Sequence, residues 1–157
     1  MSIGKLLYQD LPKFLSALRH LSSTSTVHFR GISLKLLSDN WITKYRARTF
    51  NDKEPELLDW LDENLRDGDV FFDVGANVGI YSIYAALRKP KATVYAFEPE
   101  YSNLHQLKQN ILENTPMSNI CPYALALDDK TGISQLHIQD TTPGAAKHTV
   151  SKHDLAK

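Results

Sequence analysis

Cysteine is almost absent from this chain of 157 residues, which has a single one, Cys121. One cysteine excludes a disulfide within the chain and any metal site built from several cysteines. The six histidines show no paired spacing typical of metal ligands. The sequence therefore predicts no metal centre, and the scarcity of cysteine suits a reducing compartment.

An excess of charge and long hydrophobic runs are also lacking. Eighteen basic and eighteen acidic side chains cancel, so no overall field recruits nucleic acid or an anionic membrane. Asp10, Pro12, Lys13 and Arg19 interrupt the N-terminal stretch, so neither a signal-peptide core nor a membrane span fits there. The sequence predicts a cytoplasmic protein without nucleic-acid partners or a membrane span.

Two elements are predicted in an N-terminal extension covering residues 1–50. Apolar residues recur every three or four positions from 3 to about 21, which indicates an amphipathic helix. Residues 27–36 alternate around Gly31, which is typical of a short β-hairpin. The basic run 44–48 favours a solvated strand face over contact with an anionic substrate.

Strands and helices alternate over residues 51–140, which predicts an α/β fold with a mainly parallel sheet. Pro122 would remove a hydrogen-bond donor from the third strand, so that strand is expected at an edge. Right-handed crossovers give the spatial order three, two, one. After Asp140 the periodicity is lost, and 141–157 is interpreted as loop or tail. The predicted elements are helices near 55–65, 78–88 and 104–114, and strands at 70–74, 93–97, 120–127 and 133–138, with Trp41 and Trp60 in the core.

Small and acidic residues follow the first two strands of this unit. Asp73 to Gly79 comes after the first strand, and Glu98 ends the second. Ligands of parallel α/β sheets bind at the carboxyl ends of the strands. Glycine lets the backbone approach a ligand, and Glu98 can accept hydrogen bonds from both hydroxyls of a ribose. These residues predict a nucleotide site.

The spacing of the glycines decides which nucleotide is favoured. A dinucleotide fingerprint that starts at Gly75 needs glycine at positions 77 and 80, which hold Asn77 and Ile80. The phosphate loop that ends in Gly-Lys-Ser/Thr is absent too. A ligand with a ribose but no phosphate fits better, and S-adenosylmethionine is the obvious one. A nicotinamide-dependent reductase is a weaker alternative.

Four ordered motifs resemble the FkbM-type family of S-adenosylmethionine-dependent methyltransferases. They begin at Lys53 (KEPELLDW), Asp73 (DVGANVGIY), Phe97 (FEP) and Tyr123 (YALALD). The similarity covers roughly residues 45–140. It implies a Rossmann-like class I methyltransferase fold, methyl transfer to oxygen on sugars, glycolipids or natural products, and S-adenosylmethionine as cofactor.

The resemblance also implies roles for individual residues. The first motif would hold the methionine moiety, Glu98 would bind the ribose, and a turn after the third strand would border the adenine. Tight-turn geometry alone could explain the glycines, helix capping could explain Asp73, and Asp128 also suits a turn. The predicted cofactor-binding residues are Asp73, Gly75, Ala76, Asn77, Gly79, Glu98, Leu127 and Asp128.

Family members continue with further strands and helices, and none of these follows Asp140 here. The chain is therefore expected to be the N-terminal, cofactor-binding portion of such a fold, incomplete at its C-terminal side. No catalytic base can be named. A non-catalytic cofactor-binding fragment, or a subunit completed by another chain, stays open as an alternative. An unpaired sheet edge would favour self-association.

Overall fold

The computed structural model describes residues 23–114 and 119–151. The predicted helix at residues 3–21 lies outside the described residues. The described chain forms one mixed α/β unit with a three-stranded parallel sheet and two separate two-stranded pairs.

A β-hairpin opens the described chain, as predicted. Strands β1 (Thr24–Phe29) and β2 (Ile32–Leu37) pair antiparallel, with Phe29 opposite Ile32. Arg30 and Gly31 form the two-residue turn, both with positive φ, at 48° and 80°. Positive φ at both central residues is the requirement of the turn whose twist matches a hairpin.

Three short helices follow the hairpin: α1 (Trp41–Arg48), α2 (Phe50–Lys53) and α3 (Pro55–Asn64). The basic run at 44–48 therefore lies on a helix, and the predicted strand face was wrong. Asn40 explains the difference, because its side chain accepts from the Thr43 N–H while the Thr43 hydroxyl accepts from the Asn40 N–H. Pro55 begins α3, at a position where its missing N–H costs nothing.

The central sheet contains β3 (Val70–Val74), β4 (Thr93–Phe97) and β5 (Ile120–Tyr123), all parallel, in the order β3-β4-β5. Helices α4 (Ile80–Arg88) and α5 (Tyr101–Glu113) are the crossovers. The predicted order, with the Pro122 strand at an edge, is confirmed. The chain therefore has an incomplete Rossmann-like α/β fold.

Two strand predictions differ from the structure. The third strand ends at Tyr123 rather than Leu127, because its partner β4 ends at Phe97, which is paired with Tyr123. The predicted strand 133–138 is only β6 (Gln135–His137), which pairs antiparallel with β7 (Thr149–Ser151). Part of the predicted tail is thus a strand.

The core lies between the covered face of the sheet, helices α4 and α5, and the hairpin. Trp41 and Trp60, predicted in the core, are 73% and 50% exposed. Leu58 and Leu61 take the buried face of α3, and Trp60, two positions from Leu58, is turned roughly 200° away from it. Fully buried side chains are Leu34, Leu58, Leu61, Ile83, Tyr84, Val94, Ala96 and Leu107.

Candidate functional site

The turn between β3 and α4 contains two glycines with different structural roles. Both have positive φ, 79° at Gly75 and 80° at Gly79. A Cβ at Gly79 would lie 2.7 Å from the Leu107 Cγ, whereas a Cβ at Gly75 would meet nothing within 4 Å. Gly79 is therefore required for packing against α5, and Gly75 presents its backbone to open space.

The same turn is tied to the end of the neighbouring strand. The N–H groups of Gly75 and Ala76 both donate to the Phe97 carbonyl oxygen, at 2.9 and 3.0 Å. Asn77 adopts a left-handed conformation with φ of 53°, which asparagine tolerates better than most residues. These bonds fix the turn at the carboxyl ends of β3 and β4.

A cavity of about 320 Å³ opens beside this turn, between it and the α1–α3 segment. Two acids, two bases and a tyrosine contribute polar groups to its wall, and apolar side chains supply the rest. A cavity of this size falls at the lower end of the range for small-molecule sites. The lining residues include Arg46, Phe50, Lys53, Glu54, Leu57, Asp73, Gly75, Ala76, Asn77, Tyr81 and Ala146.

Asp73 is one of the two acids that line the cavity. Burial raises the pKa of its carboxyl, and the Ser82 hydroxyl, which donates to Oδ2, opposes that rise. A buried carboxylate loses hydration, so a cation placed beside it would stabilise its ionised form. The arrangement suits a positively charged ligand group.

Glu98 ends β4 as predicted, but its side chain is only 4% exposed. Its Oε2 accepts from the Asn77 N–H at 2.8 Å, and its Oε1 accepts from the Glu100 N–H at 2.9 Å. In this arrangement Glu98 holds the turn and does not line the cavity. An ionised carboxylate has about four acceptor positions, so further acceptor capacity remains.

Residues 142–147, here called the closing segment, lie over the turn. The Ala145 carbonyl accepts from the side-chain amides of Asn77 and Asn103, at 2.6 and 3.2 Å. The Gly144 N–H donates to the Asn103 Oδ1 at 2.7 Å. Sequence analysis assigned this segment to loop or tail and missed its contacts, because an asparagine on a helix gives no signal of a partner some forty residues away.

Other residues of the cavity wall were also missed. Burial lowers the pKa of the Arg46 guanidinium, and burial together with the neighbouring Glu54 carboxylate raises the pKa of Tyr81 to about 12. Tyr81 therefore stays protonated near neutral pH. Arg46 lies on a helix that was predicted as a strand, whereas Tyr81 ends the motif that begins at Asp73 but was given no role of its own.

Two predicted site residues lie outside this cavity. Leu127 and Asp128 fall in the exposed chain that follows β5, and neither lines the cavity. The Asp128 Oδ1 accepts from the Asp129 N–H at 2.8 Å, as in a turn. The structure therefore brings together Asp73, Gly75, Ala76 and Asn77, with Gly79 and Glu98 just behind them.

The described ranges, 23–114 and 119–151, contain neither a metal site nor a membrane-spanning helix. No group of three or more His, Cys, Asp or Glu side chains there could hold a metal ion. No helix within them combines the length and the apolar character needed to cross a bilayer.

Comparison with known proteins gives partial matches. No family model matches the chain. The 31-O-demethyl-FK506 methyltransferase FkbM of Streptomyces tacrolimicus is 36% identical over 72 residues, which are 46% of this chain and 27% of that protein. Methyltransferase sdnD of Sordaria araneosa is 30% identical over 81 residues, 52% of this chain and 31% of that protein. The chain thus spans less than a third of the length of these relatives.

Solved structures superpose loosely on this chain. The TYW2 structure of M. jannaschii in complex with AdoMet gives a TM-score of 0.48 at 22% identity, covering 67% of this chain and 44% of that one. The P. horikoshii TYW2 structure in complex with MeSAdo gives 0.45 at 21% identity, covering 71% and 39%. The sequence matches, which cover about half of the chain, confirm the predicted resemblance to the FkbM-type methyltransferases.

Proposed function

We propose that this chain binds S-adenosylmethionine and takes part in methyl transfer to a hydroxyl group of a sugar, glycolipid or natural product. One observation carries the proposal: the backbone at Gly75 opens onto a cavity that the largely buried carboxyl group of Asp73 also lines. The similarity to methyltransferases of the FkbM type supports the same reaction class.

The residues present fit this cofactor. Asp73 would face the cationic methionyl end, and the glycine at 75 leaves room for the ligand against the backbone. Glu98 would accept hydrogen bonds from the ribose hydroxyls. Because only 4% of Glu98 is exposed, the ribose would reach its carboxylate only after the residues that cover it move.

The chain's own part in the reaction is positioning. When bound, S-adenosylmethionine would supply an electrophilic methyl group, on a positively charged sulfur, for transfer to an acceptor hydroxyl. Holding an acceptor oxygen close and in line with such a methyl group accounts for a large part of the rate enhancement of a transferase. The walls from α1 to α3 would hold that geometry.

Titration calorimetry with S-adenosylhomocysteine tests the cofactor step. Micromolar binding by the wild-type chain, weakened at least tenfold by Asp73→Asn, is the expected result. The control is Asp52→Asn, because Asp52 is an exposed acid on α2 that does not line the cavity. Absence of binding by the wild-type chain would contradict the proposal.

A second candidate is a cofactor-binding chain that needs another chain for activity. The specific observation is the face of the sheet that the described residues, 23–114 and 119–151, leave uncovered, where Phe72, Tyr95, Phe97 and Tyr123 form a continuous aromatic contact. Parallel sheets normally have both faces covered. Sedimentation that shows a monodisperse monomer with methyl-transfer activity would contradict this candidate.

A further inference from the structure

A second cavity, of about 550 Å³, lies directly beside the proposed cofactor cavity. The two share three lining residues, Arg46, Lys53 and Ala146. A molecule in the second cavity would therefore be the immediate neighbour of one in the first. This adjacency is the relation that a methyl acceptor needs to its donor.

Arg46 stands between the two cavities with spare hydrogen-bonding capacity. Its Nε donates to the Gly144 carbonyl at 2.7 Å. Among the described residues no carboxylate forms an ion pair with it, although the guanidinium is half-buried. A guanidinium matches the two oxygens of a carboxylate or phosphate in a bidentate fashion. An anion at this place would offset the lost hydration of Arg46.

Other charges around the second cavity favour an anion as well. Lys53 and Lys147 line it beside Arg46, and Asp140 is its acid. Lys53 lies 3.9 Å from Glu54, a long contact between exposed groups, and such pairs contribute little. The wall thus has three cations for one acid.

Two exposed aromatic side chains complete the wall. Trp41 is 73% exposed and Tyr45 is 55% exposed, and both lie on the same helix as Arg46. Neither is needed by the core. Large aromatic rings with a polar edge are suited to packing against a ligand that is partly apolar and partly hydrated, as the face of a sugar ring is.

We propose that this second cavity is the methyl-acceptor site and that it takes a sugar bearing a carboxylate or phosphate group. The sugar ring packs on Trp41 and Tyr45, and the anionic group binds Arg46 and Lys53. All four recognition residues come from α1 and α2, and the closing segment completes the wall with Gly144, Ala145, Ala146 and Lys147. The inference rests on the proposed function, since the donor occupies the neighbouring cavity.

The test is a set of calorimetric titrations of the wild-type chain, with and without saturating S-adenosylhomocysteine. The probes are glucose 1-phosphate, glucuronate, glucose and inorganic phosphate. We expect the two anionic sugars to bind at least tenfold more tightly than glucose or phosphate alone. Equal affinity for glucose and glucose 1-phosphate, or for phosphate and glucose 1-phosphate, would overturn the proposal.

Variants locate the site. Trp41→Ala is expected to weaken the binding of both anionic sugars at least threefold with the S-adenosylhomocysteine affinity unchanged, because Trp41 lines only the second cavity. Arg46→Gln is expected to weaken the binding of both anionic sugars at least tenfold, and that of S-adenosylhomocysteine by less, because Arg46 lines both cavities. Arg48→Gln is the matched control, because Arg48 lies on the same helix but lines a different cavity, with His28. A larger loss of affinity for S-adenosylhomocysteine than for the anionic sugars in Arg46→Gln, or unchanged sugar affinity in Trp41→Ala, would overturn the acceptor site.

The two proposals fail in different ways. If the wild-type chain binds the anionic sugars but not S-adenosylhomocysteine, the proposed function fails and the anion site stands. If it binds S-adenosylhomocysteine but none of the anionic sugars, the acceptor site fails and the proposed function stands.

Discussion

On one face of the three-stranded sheet, Val94 and Ala96 lie fully buried beneath α4 and α5. On the other face, Phe72 and Tyr123 remain 56% and 41% exposed. The two faces are made by alternating residues of the same strands, and both are apolar. An apolar strand pattern therefore specifies which residues share a face of the sheet. Those residues are buried only where a helix or another element covers that face.

The proposed site lies at the carboxyl ends of the strands, where the two faces meet. Gly79 and Leu107 belong to the packed side, and Gly75 and Asp73 to the open end. Substitutions on the packed side are therefore expected to change stability, and substitutions at the open end are expected to change ligand binding.

The largest effect is expected at Gly79. Gly79→Ala combines a positive φ of 80° with a Cβ 2.7 Å from the Leu107 Cγ. We expect the free energy of unfolding to fall by about 2–5 kcal/mol, measured by urea denaturation.

The matched variant is Gly75→Ala, which has the same φ but open space at its Cβ. It should lose only about 1–2 kcal/mol of stability, all from the backbone. Equal losses in the two variants would show that α5 is not packed against the turn as described.

The next effect concerns the cofactor. Glu98→Ala removes the proposed ribose acceptor, and we expect the affinity for S-adenosylhomocysteine to fall by about 1.5–3 kcal/mol, roughly ten- to over a hundredfold. Calorimetry measures it, with Glu113→Ala, an exposed acid of α5, as the control. Because Glu98 also accepts two backbone N–H bonds, the melting temperature should fall too, and unchanged affinity would remove Glu98 from the ribose role.

A pH titration of ligand binding tests the role of the Asp73 carboxyl group. The pKa of Asp73 is raised in the folded protein, so the folded state takes up a proton more readily than the unfolded chain. Above that raised pKa, where Asp73 is ionised, the folded protein is therefore less stable than it is with Asp73 protonated. A cationic ligand group favours the ionised form. The affinity for S-adenosylhomocysteine should therefore fall as the pH is lowered through the raised pKa.

Asp73→Asn is the control for this titration. It should flatten that part of the pH profile, weaken binding about tenfold at neutral pH, and raise the melting temperature of the free protein. A profile identical to that of the wild-type chain would show that another group titrates.

The smallest effect on stability is expected on the exposed face. Phe72→Ser should change the free energy of unfolding by about 1 kcal/mol or less, the value of its ring contacts with Tyr95 and Phe97. Ile83→Ala, on the covered side, should cost about 2–5 kcal/mol. If Phe72→Ser costs as much, a partner covers that face in solution, and sedimentation velocity would show a loss of assembly.

Sequence patterns predicted the parts of the fold that depend on local chemistry. The turn at Gly31, the start of α3 at Pro55 and the edge position of Pro122 each follow from one residue's backbone geometry. The sheet order followed from the handedness of crossovers. These features need no knowledge of distant contacts.

Most of the misses depend on contacts with other parts of the fold, and the exception is the helix at the basic run, which begins at a local capping pair. Trp60 is exposed because Leu58 and Leu61 take the buried face of α3, and the closing segment is ordered by Asn77 and Asn103. The basic run lies on a helix because Asn40 and Thr43 form a capping pair at its start. Within the site, the glycines, Asp73 and Glu98 were identified from their place after each strand, whereas Arg46 could be found only once α1 was seen to lie across the cavity from the turn.

The central claim, that the turn after β3 holds an adenosyl ligand, is tested most directly by amide NMR during titration with S-adenosylhomocysteine. We expect chemical-shift changes at the amides of Gly75, Ala76 and Asn77. The amides of Ser25 and His28 in the hairpin should be unchanged. Saturating ligand that leaves the amides of the turn unmoved would contradict it.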